Sequence, residues 1–128
     1  MGSLILDASV LIGLLDDADA HHQRAVDDVE TADEASRELV APASAYSEAM
    51  VAFARVDRIG DASEAIAAMG IRVSPLNATT AERAAELRAR HDHLRLPDAI
   101  ALATAHELGG GLLSYDERLT RYASADDG

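Results

Sequence analysis

The chain has 128 residues and 48% of them are hydrophobic, which is enough apolar material for one folded domain with a proper core. It contains no cysteine, so disulfide bonds and thiol catalysis are excluded. The formal net charge of −12 argues against tight nucleic-acid binding through charge alone, because such binding depends on phosphate neutralisation. A reaction on a phosphate group would need metal ions or locally clustered arginines to offset this negative charge. No apolar run is long enough to span a bilayer and no secretory signal is visible, so we expect a cytoplasmic location and no membrane association.

A short apolar run that ends in a carboxylate opens the chain. Leu4–Leu6 has the continuous apolar character of a strand buried on both faces. The apolar residues Val10, Leu11, Leu14 and Leu15 recur at helical spacing, which predicts a helix packed on this strand. Asp7 is therefore predicted at the carboxyl end of a buried strand, directly before a helix. Ligands bind at this edge in open α/β sheets. Asp also starts helices well, and Ser9 could cap this one, so Asp7 alone is a weak signal.

Strand and helix patterns alternate along the rest of the chain. Helices are predicted over Ala20–Ala35, Ala43–Val56 and Asp61–Met69. A further helix is predicted from Asn77 or Thr79 to about Arg90. The last two are predicted over Ala99–Leu108, after Leu96-Pro97-Asp98, and from Asp116 to about Tyr122. Strands are predicted at Glu38–Ala41, Ile71–Leu76 and Leu112–Tyr115. This alternation predicts an α/β fold, a three-layer α/β/α sandwich with a short, mainly parallel central sheet. We expect a single domain over 1–128, with a frayed tail at about 123–128.

Two segments that contain histidine are interpreted as exposed. His21 and His22 are neighbours on a helix and point about 100° apart, which makes them a poor chelating pair. His91-Asp92-His93 forms a polar hinge, and successive loop residues rarely converge on a metal without further ligands. We therefore expect no metal site at either segment.

Four of the 23 acidic residues are distinguished by their placement. Asp7 and Asp116 each follow a short apolar strand. Asp98 lies in the first turn of a buried helix, and Glu48 lies at the inner edge of another. In a three-layer sandwich these positions can meet at one end of the sheet. Each also has a simpler structural interpretation, since Asp98 could complement a helix dipole and Asp116 could cap the last helix.

The motifs around these acids resemble those of the PIN-domain ribonucleases. The matching segments are Asp7-Ala8-Ser9, Ser47-Glu48-Ala49, Leu96-Pro97-Asp98-Ala99 and Leu113-Ser114-Tyr115-Asp116, in the order and spacing of that family. The match runs from about Leu4 to Leu119. The length is similar to that of the VapC toxins of bacterial toxin–antitoxin pairs.

This resemblance implies a PIN-like fold and a metal-dependent endoribonuclease. The residues that correspond to the family's acidic metal-binding positions are Asp7, Glu48, Asp98 and Asp116. Ser114 corresponds to the family's Thr or Ser that supports the site by hydrogen bonding, and Ser9 matches the small hydroxyl residue after the first Asp. The resemblance also implies an RNA substrate, a homodimer, and a cognate antitoxin whose tail blocks the active site.

The chemistry of these residues agrees with that implication. Several hard oxygen ligands without cysteine or clustered histidine suit Mg²⁺ or Mn²⁺ rather than zinc. Such ions would neutralise the carboxylates, activate a bound water and stabilise phosphodiester displacement. Carboxylates and metal do not distinguish RNA from DNA, so the preference for RNA rests on the resemblance. Arg95, Arg118 and Arg121 are nearest in sequence to these acids and could hold substrate phosphates, or only form surface ion pairs.

Two other functions stay open. A catalytically idle member of the family could act as a binding module with its antitoxin on DNA, although the intact acids argue against this. A metal-dependent phosphatase on a similar sheet is disfavoured, because Ala8-Ser9-Val10 after Asp7 lacks the second acid, two residues on, that a haloacid-dehalogenase-type enzyme needs.

The early helices carry more apolar surface than one small sheet needs to cover. Leu11, Leu14 and Leu15 are the candidates for the excess. We expect part of this surface to bind a partner helix and the chain to self-associate.

Overall fold

The structure is a computed structural model that describes residues 2–127, with residues 124–127 described by their backbone alone. Within this range the strands are β1 (Ser3–Leu6), β2 (Glu38–Pro42), β3 (Ile71–Ser74) and β4 (Gly111–Leu113). The helices are α1 (Ala8–Leu15), α2 (His22–Glu34), α3 (Ala43–Ala54), α4 (Ile59–Ala68), α5 (Ala78–Arg90), α6 (Leu96–Glu107) and α7 (Glu117–Asp127). Every predicted strand and helix is therefore present, with shifted ends.

Three helix ends show which local signals were informative. Gly70 ends α4 with a φ of +74°, a left-handed conformation that glycine adopts without steric cost. Helix α4 begins at Ile59, before the predicted start at Asp61, and α7 continues to Asp127 instead of ending near Tyr122. The single domain over 1–128 and the frayed tail at about 123–128 stay predictions, and Gly128 lies outside the described residues.

The four strands form an entirely parallel sheet in the order β3-β2-β1-β4. The chain moves outward from β1 to β3 and then crosses back, which places β4 on the other side of β1. The carboxyl ends of β1 and β4 therefore adjoin where the strand order reverses, the position at which open α/β sheets bind ligands. Leu6 pairs with Leu113, and the Asp7 N–H donates to the Leu113 carbonyl at 3.3 Å. Asp7 and Ser114 thus leave the sheet side by side.

The side chains of β1 alternate between two helical layers. Leu4 and Leu6 pack with residues of α1 to α4, whereas Ile5 packs on the opposite face beside Ala105 of α6. Ile5 and Leu6 are both fully buried. Burial on both faces explains the continuous apolar run of this strand, and it confirms the predicted three-layer sandwich.

Helix α6 is enclosed by the protein, as its sequence predicts. All seven residues from Ala99 to Ala105 are buried, and α5 packs against the helix through Ala84 and Leu87. Its first turn contains Pro97 and Asp98, and proline is well suited to that position because it has no N–H to leave unpaired. The enclosed helix therefore holds Asp98 in a defined position at one end of the sheet.

The apolar excess on the early helices lies elsewhere than predicted. Leu11 and Leu14 belong to the core, so the prediction that they are available to a partner is wrong. Ile12 is 39% exposed instead, and it lines a groove with Leu15 and Phe53 between α1 and α3. None of the helices in the described range is long and apolar enough to cross a membrane.

The interpretation of His21 and His22 as solvated residues is also wrong. Both side chains are half-buried. The Nδ1 atom of His22 lies 2.7 Å from the Gly13 carbonyl oxygen, and the His21 ring lies 4.9 Å from the ring of Tyr115. In the other segment, Asp92 and His93 are exposed, as predicted, but His91 is half-buried.

Candidate active site

All four predicted acids line one cavity at the carboxyl end of β1. The cavity has a volume of about 220 Å³, and its lining includes Asp7, Ser9, Glu48, Arg95, Asp98 and Asp116. The four acids come from four different parts of the chain: the end of β1, the helices α3 and α6, and the loop before α7. The fold therefore brings together residues that are widely separated in sequence.

Asp7 is the most buried of these acids, with 7% of its surface exposed. Its Oδ1 accepts hydrogen bonds from the Val10 N–H at 3.2 Å and from the Ser9 hydroxyl at 2.6 Å. Its Oδ2 accepts a hydrogen bond from the Ser114 hydroxyl at 2.5 Å. Asp7 itself is the N-cap of α1, so the suggestion that Ser9 caps this helix is wrong.

The two serine hydroxyls connect the loop after β4 to Asp7. The Tyr115 N–H donates to the Ser9 oxygen at 3.0 Å, and the Asp116 N–H donates to the Ser114 oxygen at 3.0 Å. Because each hydroxyl oxygen accepts from the backbone, each hydroxyl proton is directed to Asp7. Ser114 thus forms the hydrogen bond expected of it. The sequence contains no signal for the contact between Ser9 and Tyr115, which joins residues at opposite ends of the chain.

Burial and mutual repulsion favour the protonated forms of two of the acids. Burial raises the pKa of Asp7, even though its three hydrogen bonds lower it, and the charge of Asp98 adds to the rise. Burial also raises the pKa of Glu48, where the charges of Asp98 and Asp7 act in the same direction and that of Arg95 opposes them. A bound cation would relieve this repulsion, so the electrostatics of the cavity favour cation binding.

Arg95 is the arginine that the structure brings to the acids. It is the N-cap residue of α6, and its Nε donates to Asp98 Oδ2 at 3.3 Å. The hydrogen bond and charge of Asp98, with smaller effects of Glu48 and Asp116, raise the pKa of the Arg95 guanidinium. Arg118 and Arg121, which follow Asp116 in the sequence, line other cavities.

Asp116 fits both interpretations given for it, as the cap of a helix and as a residue of the acid cavity. Its Oδ1 accepts from the N–H groups of Arg118 at 2.9 Å and Leu119 at 3.4 Å, so it caps the start of α7. It also lines the cavity with the other acids. A helix cap and a site residue are therefore compatible here.

The donor set fits a hard divalent cation that keeps part of its water shell. In the part of the chain that the structure describes, no three acidic or histidine side chains converge closely enough to ligate one ion directly. The side-chain atoms of the described lining that could ligate a cation are nevertheless carboxylate and hydroxyl oxygens, and Arg95 adds a guanidinium beside them. Mg²⁺ suits such a site because it retains several waters and binds through one or two carboxylates together with substrate phosphates.

The comparisons with known proteins agree with this fold. Residues 4–125 match the PIN domain family, and the chain belongs to that family. It is similar in structure to the Mycobacterium tuberculosis toxin VapC20, described as cleaving the sarcin–ricin loop, with 20% identity, a TM-score of 0.73, and coverage of 94% of this chain and 95% of that one. It is also similar to a chain of a toxin–antitoxin complex from Klebsiella pneumoniae, with 24% identity, a TM-score of 0.70, and coverage of 89% and 87%. At these identities the likeness is one of fold. No curated protein matches by sequence.

Proposed function

We propose that this chain is a metal-dependent endoribonuclease and the toxin of a toxin–antitoxin pair. One observation carries the proposal: four carboxylates from separate elements share a cavity at the point where the strand order reverses. Membership of the PIN domain family and structural similarity to VapC-type toxins support it. Simple helix capping would explain Asp7 and Asp116, but it would not place Glu48 and Asp98 against them.

We assign the four acids, Asp7, Glu48, Asp98 and Asp116, to Mg²⁺ or Mn²⁺ binding. When bound, the ion would lower the pKa of a coordinated water and neutralise charge that develops on the phosphate. Ser9 and Ser114 keep the Asp7 carboxylate in one orientation through the hydrogen bonds described above.

We propose four further properties that accompany this activity. The substrate is RNA, and the similarity to VapC20, a toxin that cleaves the sarcin–ricin loop, supports this choice. A helix of a cognate antitoxin covers the groove lined by Ile12, Leu15 and Phe53, and the similar chain from a toxin–antitoxin complex supports such a partner. The toxin forms a homodimer and acts in the cytoplasm.

The activity is tested by incubating purified protein with a pool of labelled structured RNAs. We expect cleavage with Mg²⁺ or Mn²⁺ and none in excess EDTA, because the proposed chemistry needs a cation among the acids. Cleavage that persists in EDTA would contradict metal dependence. If no RNA is cut under any condition and the protein still co-purifies with the product of a neighbouring gene, the idle binding module becomes the better interpretation.

Metal binding is expected to raise the melting temperature. An ion that binds only the folded protein adds about 2.7 kcal/mol of stability at a hundred times its dissociation constant. The melting temperature should therefore rise with Mg²⁺ concentration, as measured by calorimetry. The control is the double variant Asp7→Asn/Asp98→Asn, which should lose this response. An equal rise in both proteins would mean that the ions act on the general negative charge.

A further inference from the structure

Two cavities outside the carboxylate site lie side by side along α7. The first, of about 470 Å³, is lined by His91, His93, Arg118, Arg121 and Tyr122. The second, of about 490 Å³, includes Arg121 again, together with His21, Arg24, Ser114 and Tyr115. Because Arg121 lines both, the cavities adjoin at this residue. We call the set Arg24, Arg118, Arg121, His21, His91 and His93 the basic belt.

The arginines of the belt are available to a ligand. Arg24, Arg118 and Arg121 are exposed, and none of them forms an ion pair with a carboxylate in the described part of the chain. Other exposed arginines are neutralised within the protein: Arg58 pairs with Asp61, Arg72 with Glu38 and Arg95 with Asp98.

The lining of the belt contrasts with the acidity of the whole chain. Glu117 is the one acid in the described lining of either cavity, although the chain has a net charge of −12. Such a local reversal of charge is what an otherwise acidic protein needs to bind a polyanion.

Aromatic rings hold one end of the belt in place. The Tyr115 hydroxyl donates to Asp28 at 2.8 Å, which anchors the ring to α2. The Arg24 guanidinium lies 4.5 Å from the centre of that ring, within the range of a cation–π contact, and the His21 ring lies beside it. At the other end, the rings of His91 and Tyr122 meet edge to face at 5.0 Å. A guanidinium held against an aromatic ring, as that of Arg24 is, loses little conformational freedom when a ligand binds.

The belt leads to the carboxylate cavity. Tyr115 lies between Ser114, which donates to Asp7, and Asp116, which lines the acid site. Arg118 and Arg121 are three residues apart on α7 and therefore lie on one side of the helix. An extended polyanion bound along the belt would reach the acids at Ser114.

We propose that the basic belt binds the phosphates of a single-stranded RNA segment adjacent to the bond that is cut. This proposal rests on the proposed nuclease function and extends it to the way in which substrate is held. Neighbouring cations and aromatic rings are the features with which proteins bind single-stranded nucleic acid. An acidic peptide could use the cations but has no bases to place against the rings, so we favour RNA.

The test is RNA binding measured apart from cleavage. A fluorescent single-stranded RNA is titrated with Arg24→Ala, Arg121→Ala and wild-type protein in EDTA over a range of salt concentrations, and a gel confirms that the RNA stays intact. Arg55→Ala is the matched control, because Arg55 is exposed at the end of α3 and lines neither cavity. Thermal melts show that each variant is folded.

We expect each belt variant to weaken binding about threefold to tenfold at low salt and to lower the slope of log K against log salt by about 0.7, the value for one lost phosphate contact on a single strand. Arg55→Ala should bind like wild type. Equal effects of all three variants would overturn the proposal, since a general change in net charge would explain them. It would also be overturned if Arg121→Ala weakened binding of a polyglutamate peptide and left RNA binding unchanged.

Two results separate this proposal from the nuclease function. RNA binding that depends on Arg24 and Arg121 without any cleavage would support the belt and contradict the nuclease. Mg²⁺-dependent cleavage with the same RNA affinity in wild type and both variants would support the nuclease and overturn the belt.

Discussion

The variant Ser114→Ala is expected to be less stable than wild type by about 1.5–3 kcal/mol at neutral pH, the range for a hydrogen bond to a charged group. The Ser114 hydroxyl donates to Asp7 Oδ2 and its oxygen accepts from the Asp116 N–H, so alanine removes both interactions. The loss is large because Asp7 is nearly inaccessible to water that could replace the donor. Urea unfolding in EDTA measures the difference. Ser47→Ala is the control, because Ser47 is an exposed serine on α3.

The stability deficit of Ser114→Ala should also depend on pH. The folded-state pKa of Asp7 is already above its ordinary value, and the Ser114 hydrogen bond opposes this rise by stabilising the charged form. Without Ser114 the pKa of Asp7 rises further. The loss of stability is therefore fully present at a pH at which Asp7 is ionised in the folded wild type. It should shrink as the pH is lowered through the raised folded-state pKa of Asp7 and Asp7 takes up a proton. Ser114→Thr, which keeps the hydroxyl, should restore most of the stability. A deficit that does not change with pH would contradict the role assigned to this hydrogen bond.

The position of the acids could be predicted because few folds are compatible with a short apolar strand at the start and alternating strands and helices after it. Leu4–Leu6 is too short and too apolar for anything but a buried strand, and the alternation of strands and helices requires a parallel sheet. The carboxyl ends of parallel strands meet at one edge, so Asp7 and Asp116 had to lie near each other. Placing Asp98 with them rested on its position in the first turn of a largely apolar helix and on the resemblance to the PIN-domain family.

The residues around the acids could not be predicted in the same way. Helical periodicity predicted that Leu11 and Leu14 lie on the face of α1 packed on the sheet, and both are buried. Because α1 contacts both the sheet and other helices, the pattern did not show that this face has no surface left for a partner, or that Ile12 is exposed. Closeness in sequence to Asp116 was also misleading for Arg118. Asp116 precedes α7 as its cap, whereas the Arg118 side chain projects from the helix itself and lines a different cavity.

The variant Asp98→Asn should separate stability from activity most widely. The asparagine keeps the shape of the side chain and removes its charge. In EDTA this loses the ion pair with the exposed Arg95, worth about 0–1 kcal/mol, and a favourable helix-dipole contact, worth about 0.3–1 kcal/mol. It also removes a charge that raises the pKa of both Asp7 and Glu48, so repulsion in the cavity falls. Because these effects oppose each other, the free energy of unfolding should stay within about 1 kcal/mol of wild type.

The same substitution should lower Mg²⁺-dependent RNA cleavage by at least about a hundredfold, because it removes one of the oxygen ligands that we assign to the cation. The two measurements are denaturant unfolding in EDTA and initial cleavage rates in Mg²⁺. Asp92→Asn is the matched control: Asp92 is exposed in the 91–93 turn and lines none of the cavities described above, so neither quantity should change. If Asp98→Asn instead lost stability and cleaved RNA at the wild-type rate, Asp98 would be a helix-dipole residue alone. The assignment of a nuclease site to this cavity would then lose its main support.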